Sequence, residues 1–304
     1  MRNSIANCKT MINIALIYNT HAGRKFNSKR FSQIRQNLDR EAAVDYYKIK
    51  TPNDLIVHKK TLQEKYQLIV ILGGDGTING IVNLIYPSAV PFLFLPFGSG
   101  NDISKACKHN IKPFKINSIL KKIKTKQMDL IQIQGEMTSY CLTVACVGTD
   151  ALVSARASRM PRFIARQRYV LATIIEIILH KSIRVKASSA EHSFSGGISV
   201  CSVANTSIYG GGIKISPKSN PFDNRLELIY VTSLSRIRLI VLFMLLLLGL
   251  HTLSRKIQIT PVSVLELDKV DLAAEIWGDG QKLGALPLRI SKAQHPINVV
   301  VVNE

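Results

Sequence analysis

Apolar residues in the first 130 positions fall into two spacings that take turns along the chain. Residues 11–18 (MINIALIY), 43–49, 67–72 (QLIVIL) and 90–95 (VPFLFL) are short, nearly continuous apolar blocks of strand length. Between the first two, residues 27–41 set Phe31, Ile34 and Leu38 three and four apart, the spacing of one helical face. Thr51-Pro52-Asn53 opens another helix, with proline where its missing N–H costs nothing. A helix over 78–86 follows a glycine turn, and a further one follows the block at 90–95. Strands alternating with helices predict a mostly parallel sheet covered on both faces.

From about residue 127 the pattern turns β-rich. Strands are predicted at 127–134, 138–147, 182–189, 197–204, 226–231, 256–260, 283–291 and 297–302, with helices at 150–158, 163–180 and 234–250. The fold class is therefore α/β: a doubly wound parallel-sheet domain over 1–127, then a β-sandwich-like domain over 128–304 whose last strand is free to return to the first. Residues 11–18 follow Arg2 and Lys9, but Asn13 interrupts the run and no small-x-small cleavage site follows, so they read as a buried strand and not a signal peptide. Leu239–Leu250 holds twelve uncharged residues, short of the ~20 that cross a bilayer, and reads as a buried helix with a membrane-facing helix as the alternative.

Composition narrows the partners. With 46% hydrophobic residues over 304 positions the chain can bury a core, which excludes wholesale disorder. Lys+Arg 40 against Asp+Glu 20 gives a net charge of +20, a field that favours polyanions such as nucleic acid, anionic lipid or phosphorylated substrates. Eight lysines and no acidic residue lie between Asp102 and Asp129, and Arg156, Arg159, Arg162, Arg166 and Arg168 interleave with Met160, Phe163 and Ile164. This is either a solvated basic face or a dock on an anionic membrane. Nucleic acid is not expected: aromatics are 7%, and no helix-turn-helix, RNA-recognition or zinc-finger pattern occurs. The five cysteines, Cys8, Cys107, Cys141, Cys146 and Cys201, form no Cys-x-x-Cys pair and read as small buried hydrophobes of a reducing compartment.

Two glycine turns carry the chemistry. Gly73-Gly74-Asp75-Gly76-Thr77 directly follows the strand at 67–72, so its N–H groups and the positive end of the next helix can cradle phosphate. Asp75 repels phosphate unless magnesium, a ribose or a reacting hydroxyl proton lies between them. Pro96-Phe97-Gly98-Ser99-Gly100-Asn101-Asp102 follows the strand at 90–95; Ser99 can donate to phosphate, and Asn101 or Asp102 can cap the next helix. There is no Walker A lysine motif, G-x-G-x-x-G, H-E-x-x-H or G-x-S-x-G.

With these residues in place the chain resembles the diacylglycerol kinase catalytic-domain superfamily, the soluble bacterial lipid kinases related to sphingosine and ceramide kinases. Asn19-Thr20-His21-Ala22-Gly23, Gly73 to Asn79 (GGDGTIN), Pro96 to Asp102, Val203 to Pro217 (VANTSIYGGGIKISP) and Trp277 to Gln281 (WGDGQ) match five family stretches in order. The resemblance implies an NAD kinase-like first domain, a C-terminal β-sandwich and ATP in the cleft between them. It puts Asn19, Gly23, Thr51, Gly73, Gly74, Asp75, Gly76, Thr77, Ile78, Asn79 and Ser99 at the nucleotide. It puts magnesium at Asn220, Asp223 and Arg225, partly through backbone carbonyls, although Phe222-Asp223-Asn224 keeps one aspartate of the family's stretch and lacks its glycine.

Asp75 and Gln281 take the catalytic positions. Gln281 replaces the glutamate proposed as the family's general base, and Gly80 replaces another glutamate. A primary amide has no useful basicity near neutral pH, so Asp279 or Asp75 would have to substitute. The expected function is ATP-dependent phosphorylation of a hydroxyl of diacylglycerol or a related lipid, in the cytoplasm or peripherally at the inner membrane face, with room for a homodimer. The alternatives are a nucleotide- and lipid-binding protein without turnover, and an NAD kinase, which shares the GGDG loop but not the second loop or the Asp-Gly-Gln stretch.

Overall fold

The computed structural model describes residues 11–20, 27–161, 164, 167–180, 182–189, 193–269 and 274–302. The first section contains β1 (Ile12–Asn19), α1 (Ser28–Glu41), β2 (Ala42–Ile49), α2 (Lys59–Glu64), β3 (Leu68–Gly73), α3 (Asp75–Ile85), β4 (Phe92–Pro96), α4 (Asp102–Ala106), α5 (Ile116–Lys121) and β5 (Thr125–Met128). The second contains β6 (Ile131–Gln134), β7 (Thr138–Cys141), β8 (Val144–Gly148), α6 (Thr149–Arg159), α7 (Gln167–Ile178), β9 (Ile183–Ser188), β10 (Ser193–Ala204), β11 (Ile208–Tyr209), β12 (Ile213–Lys214), β13 (Leu226–Thr232) and α8 (Arg236–Leu247). It closes with β14 (Gln258–Val262), β15 (Val264–Lys269), β16 (Glu275–Gly278), β17 (Gln281–Ala285), β18 (Leu288–Lys292) and β19 (Ile297–Val300).

A six-stranded sheet in the order β2-β1-β3-β4-β19-β5 forms the first layer, with parallel pairing from β2 through to β19. Its central strands β3 and β4 are apolar at every position because both faces are covered. Ala15 and Ile17 of β1, Ile69 and Ile71 of β3, and Phe92 and Phe94 of β4 pack on α3 through Ile78, Ile81, Val82 and Ile85. The alternate residues Ile14, Leu16, Val70, Leu93 and Leu95 pack on Ile34 and Leu38 of α1 and Ile116, Ile119 and Leu120 of α5. An eleven-stranded antiparallel sheet forms the second, β-sandwich-like part, with strands β13 and β14 branching from β10. The change of spacing near residue 127 is thus the change from a parallel to an antiparallel layer.

Three expected strands are broken where side chains or crossovers claim the backbone. The run at 127–134 is β5 in the first sheet and β6 in the second, and the N–H of Asp129 at the crossover donates to Pro221 O at 2.8 Å. The run at 138–147 is β7 and β8, interrupted at Leu142-Thr143, whose amides turn to the Asp279 carboxylate. The run at 283–291 is β17 and β18 with Leu286-Pro287 between them. Strands β15 and β16 were not anticipated, although Leu265 and Leu267 alternate with exposed Glu266 and Asp268.

The last strand β19 lies between β4 and β5 of the first sheet. Buried His109 secures it: Nδ1 accepts the Phe94 N–H at 3.0 Å and Nε2–H donates to Val300 O at 2.7 Å. Helix α8 departs from the expected buried helix. Only Leu239 and Phe243 are buried, while Ile237, Ile240, Val241, Met244 and Leu247 are exposed. Among the described residues no helix is long and apolar enough to cross a membrane. Cys107, Cys141, Cys146 and Cys201 are buried thiols; Cys8 lies outside the described residues.

Candidate active site

The two glycine turns stand side by side because β3 and β4 are adjacent parallel strands, with Gly73 opposite Pro96. Phe97 N–H donates to Gly73 O at 3.0 Å. A Cβ on Gly98 would lie 2.4 Å from the Gly74 Cα, and one on Gly74 would lie 3.0 Å from the Gly98 Cα, so the loops can touch only as glycines. Asn101, left-handed at φ 58°, fastens the second loop by accepting from Gly98 N–H at 2.7 Å and donating to Gly98 O at 2.9 Å.

Helix α3 begins at Asp75, so its positive end and the residues Gly74, Asp75, Gly76 and Thr77 face a cavity of about 380 Å³. Asp75 Oδ1 accepts the Ile103 N–H at 3.0 Å, and its Oδ2 lies where a Gly100 side chain would otherwise stand. Enclosure and then the neighbouring Asp102 carboxylate push the Asp75 carboxyl up. Asp102 is buried; its Oδ2 accepts the Gly211 N–H at 2.6 Å and its Oδ1 lies 3.3 Å from Lys105 Nζ. Gly210, Gly211 and Gly212 all have positive φ, which lets the second section lay its backbone against the first.

Most of the expected nucleotide residues meet here. Asn19, Thr51, Gly74, Asp75, Gly76, Thr77 and Ser99 line the cavity, as does Gln281. Asn19 Nδ2 donates to Lys50 O at 3.1 Å and to Thr77 Oγ1 at 3.3 Å, which ties the end of β1 to α3. Thr51 Oγ1 donates to Asp54 Oδ1 at 3.0 Å and so caps its own helical turn. Gly73 sits within the strand, Ile78 is in the core, and Asn79 is buried; none of the three lines the cavity. Gly23, like His21, lies outside the described residues. Asn220, Asp223 and Arg225 share an exposed turn that does not line the cavity.

The Asp-Gly-Gln stretch forms the tight β16–β17 turn, with Asp279 at φ 50° and Gly280 at φ 80°. Asp279 accepts from Leu142 N–H at 2.6 Å, Thr143 N–H at 3.2 Å, Thr143 Oγ1 at 2.5 Å and Asn79 Nδ2 at 2.8 Å. Burial pushes its carboxyl up while these donors hold it down. Its oxygens are spent on structure, so it is a lock between α3 and the β7–β8 break and not a free base. Gln281 Nε2 donates to Asn79 Oδ1, which also accepts from Asn83 Nδ2 at 3.1 Å. Gly80 has a packing cause: a Cβ there would lie 2.4 Å from Pro52 Cγ.

Arg168, in sequence one more member of a basic run, lines the cavity. Its Nη2 lies 3.4 Å from Ser99 Oγ and 3.4 Å from Tyr169 OH, its guanidinium sits 5.0 Å from the Tyr169 ring centre, and its buried Nε has no partner. Position at the start of a helix, just after a basic run, was the one available signal. A second, almost wholly apolar cavity of about 90 Å³ lies under α8, among Ile177, Val200, Leu239, Leu242, Phe243 and Leu246. Asp150 also lines it, bonded by Ser202 Oγ, and burial pushes its carboxyl up to about 7. Tyr209 lines both cavities.

Residues 13–133 match the family model of the diacylglycerol kinase catalytic domain, and residues 143–302 match that of the YegS C-terminal NAD kinase beta sandwich-like domain. The chain belongs to the diacylglycerol kinase superfamily. A diacylglycerol kinase of Mycobacterium tuberculosis (strain ATCC 25618 / H37Rv) is 25% identical over 236 residues, covering 76% of each protein. A diacylglycerol kinase of Bacillus subtilis (strain 168) is 24% identical over 300 residues, covering 95% of this chain and 96% of that protein. The crystal structure of a diacylglycerol kinase from Bacillus anthracis str. Sterne superposes with a TM-score of 0.70 at 17% identity over 96% of this chain and 98% of that one, a likeness of fold. In this lipid kinase the two glycine loops, Arg168 and the β16–β17 turn line one cleft.

Proposed function

We propose that this lipid kinase transfers the γ-phosphoryl group of ATP to a hydroxyl of diacylglycerol or a closely similar lipid. The observation that carries the reading is that Tyr209 lines two neighbouring cavities, a polar cleft floored by glycine loops and an apolar slot under α8. A lipid that seats part of an acyl chain in the slot would bring its hydroxyl past Tyr209 to the cleft. The helix α3 terminus and Arg168 would bind and orient the phosphates. The P–O bond to the β-phosphate breaks, the lipid oxygen takes the phosphoryl group, and ADP leaves.

The hydroxyl proton needs an acceptor. Gln281 has none to offer, and Asp279 is saturated by four hydrogen bonds. Asp75 also lines the cavity and accepts the Ile103 N–H, and its raised affinity for protons suits a general base. The Asp102 carboxylate, which also lines the cavity, is a hard donor of the kind magnesium prefers and would hold the ion that accompanies the nucleotide, leaving Asp75 for the proton. When bound, magnesium supplies positive charge that offsets the repulsion between these carboxylates and the triphosphate.

Membrane access completes the proposal. Helix α8 carries Arg236 and Arg238 in its first turn beside its exposed apolar face and is followed by Arg255 and Lys256, a combination suited to an anionic bilayer surface. The test is phosphate transfer from labelled ATP by the purified chain to a lipid panel that includes diacylglycerol, with Asp75→Ala as control. Transfer to a diacylglycerol-like lipid that falls about 10²-fold or more in the control is expected. No transfer above the control on any lipid would overturn the reading.

A further inference from the structure

The turn expected to carry magnesium already holds a cation of the chain's own. Asn220 Oδ1 accepts the Phe222 N–H at 3.3 Å and Asp223 Oδ1 accepts the Arg225 N–H at 3.1 Å, so both side chains serve local turn geometry. Asn224, left-handed at φ 66°, sends its N–H to Asp129 Oδ2 at 2.8 Å, and its Oδ1 accepts from Lys292 Nζ. Lys292 Nζ also stands 3.9 Å from Asp129 Oδ1, opposite a carboxylate that is largely buried. Among the described residues no three His, Cys, Asp or Glu side chains converge to hold a metal ion. With Arg225 cationic and Asp129 already neutralised, a divalent cation at this turn would rest on the single exposed Asp223 carboxylate beside backbone carbonyls, a poor fit.

The place of this cluster in the fold gives the ammonium its work. Asp129 sits where the chain crosses from the first sheet to the second, between β5 and β6. Lys292 ends β18, opposite Ile131 of β6, just before the chain crosses back to β19. The crossover is fastened by Asp129 N–H to Pro221 O at 2.8 Å, Asn205 Nδ2 to Asp129 O at 2.7 Å and Ala293 N–H to Leu130 O at 2.9 Å. All three segments, outgoing, returning and turn, meet around one positive charge. A buried carboxylate there needs a cation, because leaving it unpaired is strongly destabilising.

We infer that Lys292 is the resident cation of this junction, its ammonium bridging Asp129 and Asn224 where a divalent ion would otherwise be required, so that the two-sheet fold does not draw on free magnesium at this turn. The inference concerns the fold and stands whether or not the lipid substrate proves to be diacylglycerol.

Thermal unfolding of the full chain without nucleotide tests it. Wild-type Tm should differ by less than about 1 °C between EDTA and millimolar MgCl2 at constant ionic strength. Lys292→Met should lower Tm by about 3 °C or more, and Lys292→Arg should recover most of that loss. Should Lys292→Met fail to fold, Asn224→Gly keeps the left-handed turn but removes one acceptor, and its Tm should fall while Asp223→Asn melts like wild type. A magnesium-dependent rise in wild-type Tm that Asp223→Asn abolishes would overturn the inference. So would a Lys292→Met or Asn224→Gly protein that melts with wild type.

Discussion

Asn79 decides what position 281 can be. Its amide nitrogen is committed to Tyr140 O and Asp279 Oδ2, both at 2.8 Å, so the side chain cannot turn over without breaking both bonds. Its oxygen therefore faces Gln281 as an acceptor and needs a donor there. A glutamate at 281 would bring acceptor against acceptor unless it kept a proton, and a carboxyl that keeps its proton cannot serve as a base. Gln281→Glu is thus expected to give a kcat no higher than wild type and to cost about 1–3 kcal/mol of stability, read by denaturant unfolding. A tenfold or larger gain in kcat with unchanged stability would show that Gln281 is merely a missing base. Gly80 has a cause of its own: Pro52 fills the space a side chain would need. At this scale the sequence displayed the glycine loops and Asp75, because a turn between a buried strand and a helix leaves a local signature. It concealed Arg168 and the Asn79–Asp279 lock, since each acquires its role from a partner far along the chain.

Helix α8 shows the same limit for a whole element. Leu239, Leu242, Phe243 and Leu246, spaced three and four apart, line the apolar slot, while Ile237, Ile240, Val241 and Met244 face outward. A helix that is apolar all round carries no periodicity from which to read its two faces. The central strands of the first sheet were legible because burial on both faces writes a continuous run. The strand breaks at Asp129 and Leu142 were not, because a crossover and a carboxylate 137 positions away cause them. The outward face is expected to dock on lipid. Ile240→Glu with Met244→Glu should weaken co-sedimentation with anionic vesicles by about tenfold or more, since each buried apolar side chain contributes roughly 1.5–3 kcal/mol. Activity on a dispersed short-chain lipid should change little, because neither residue lines the slot. Undiminished vesicle binding would remove α8 from the docking surface.

The whole molecule is closed by its return strand, and that closure has a pH dependence of its own. His109 accepts at Nδ1 from β4 and donates at Nε2 to β19, an arrangement that only the neutral ring can make. Burial lowers its pKa from 6.5 to about 4. Between these values the unfolded chain binds a proton that the native chain refuses, so this group's contribution is fully present above pH 6.5 and is lost as pH falls toward 4. The span corresponds to about 3 kcal/mol. Asp150, pushed up to about 7, and the raised Asp75 act in the opposite sense, because native carboxyls that hold protons lose stability as pH rises. Total stability across this range therefore mixes opposing slopes, and comparison with a non-titrating variant isolates the histidine. His109→Gln should be less stable than wild type at pH 7. The gap should narrow steadily as pH drops from 6.5 to 4, because only wild type has a proton to refuse. Urea unfolding at several pH values reads this directly, and a gap constant with pH would mean that the ring carries its proton in the native fold. The apolar blocks of β4 and β19 foretold that both strands would be buried. That one imidazole about a third of the way along the chain fastens its far end follows only from the fold, since nothing local to residue 109 refers to residue 300.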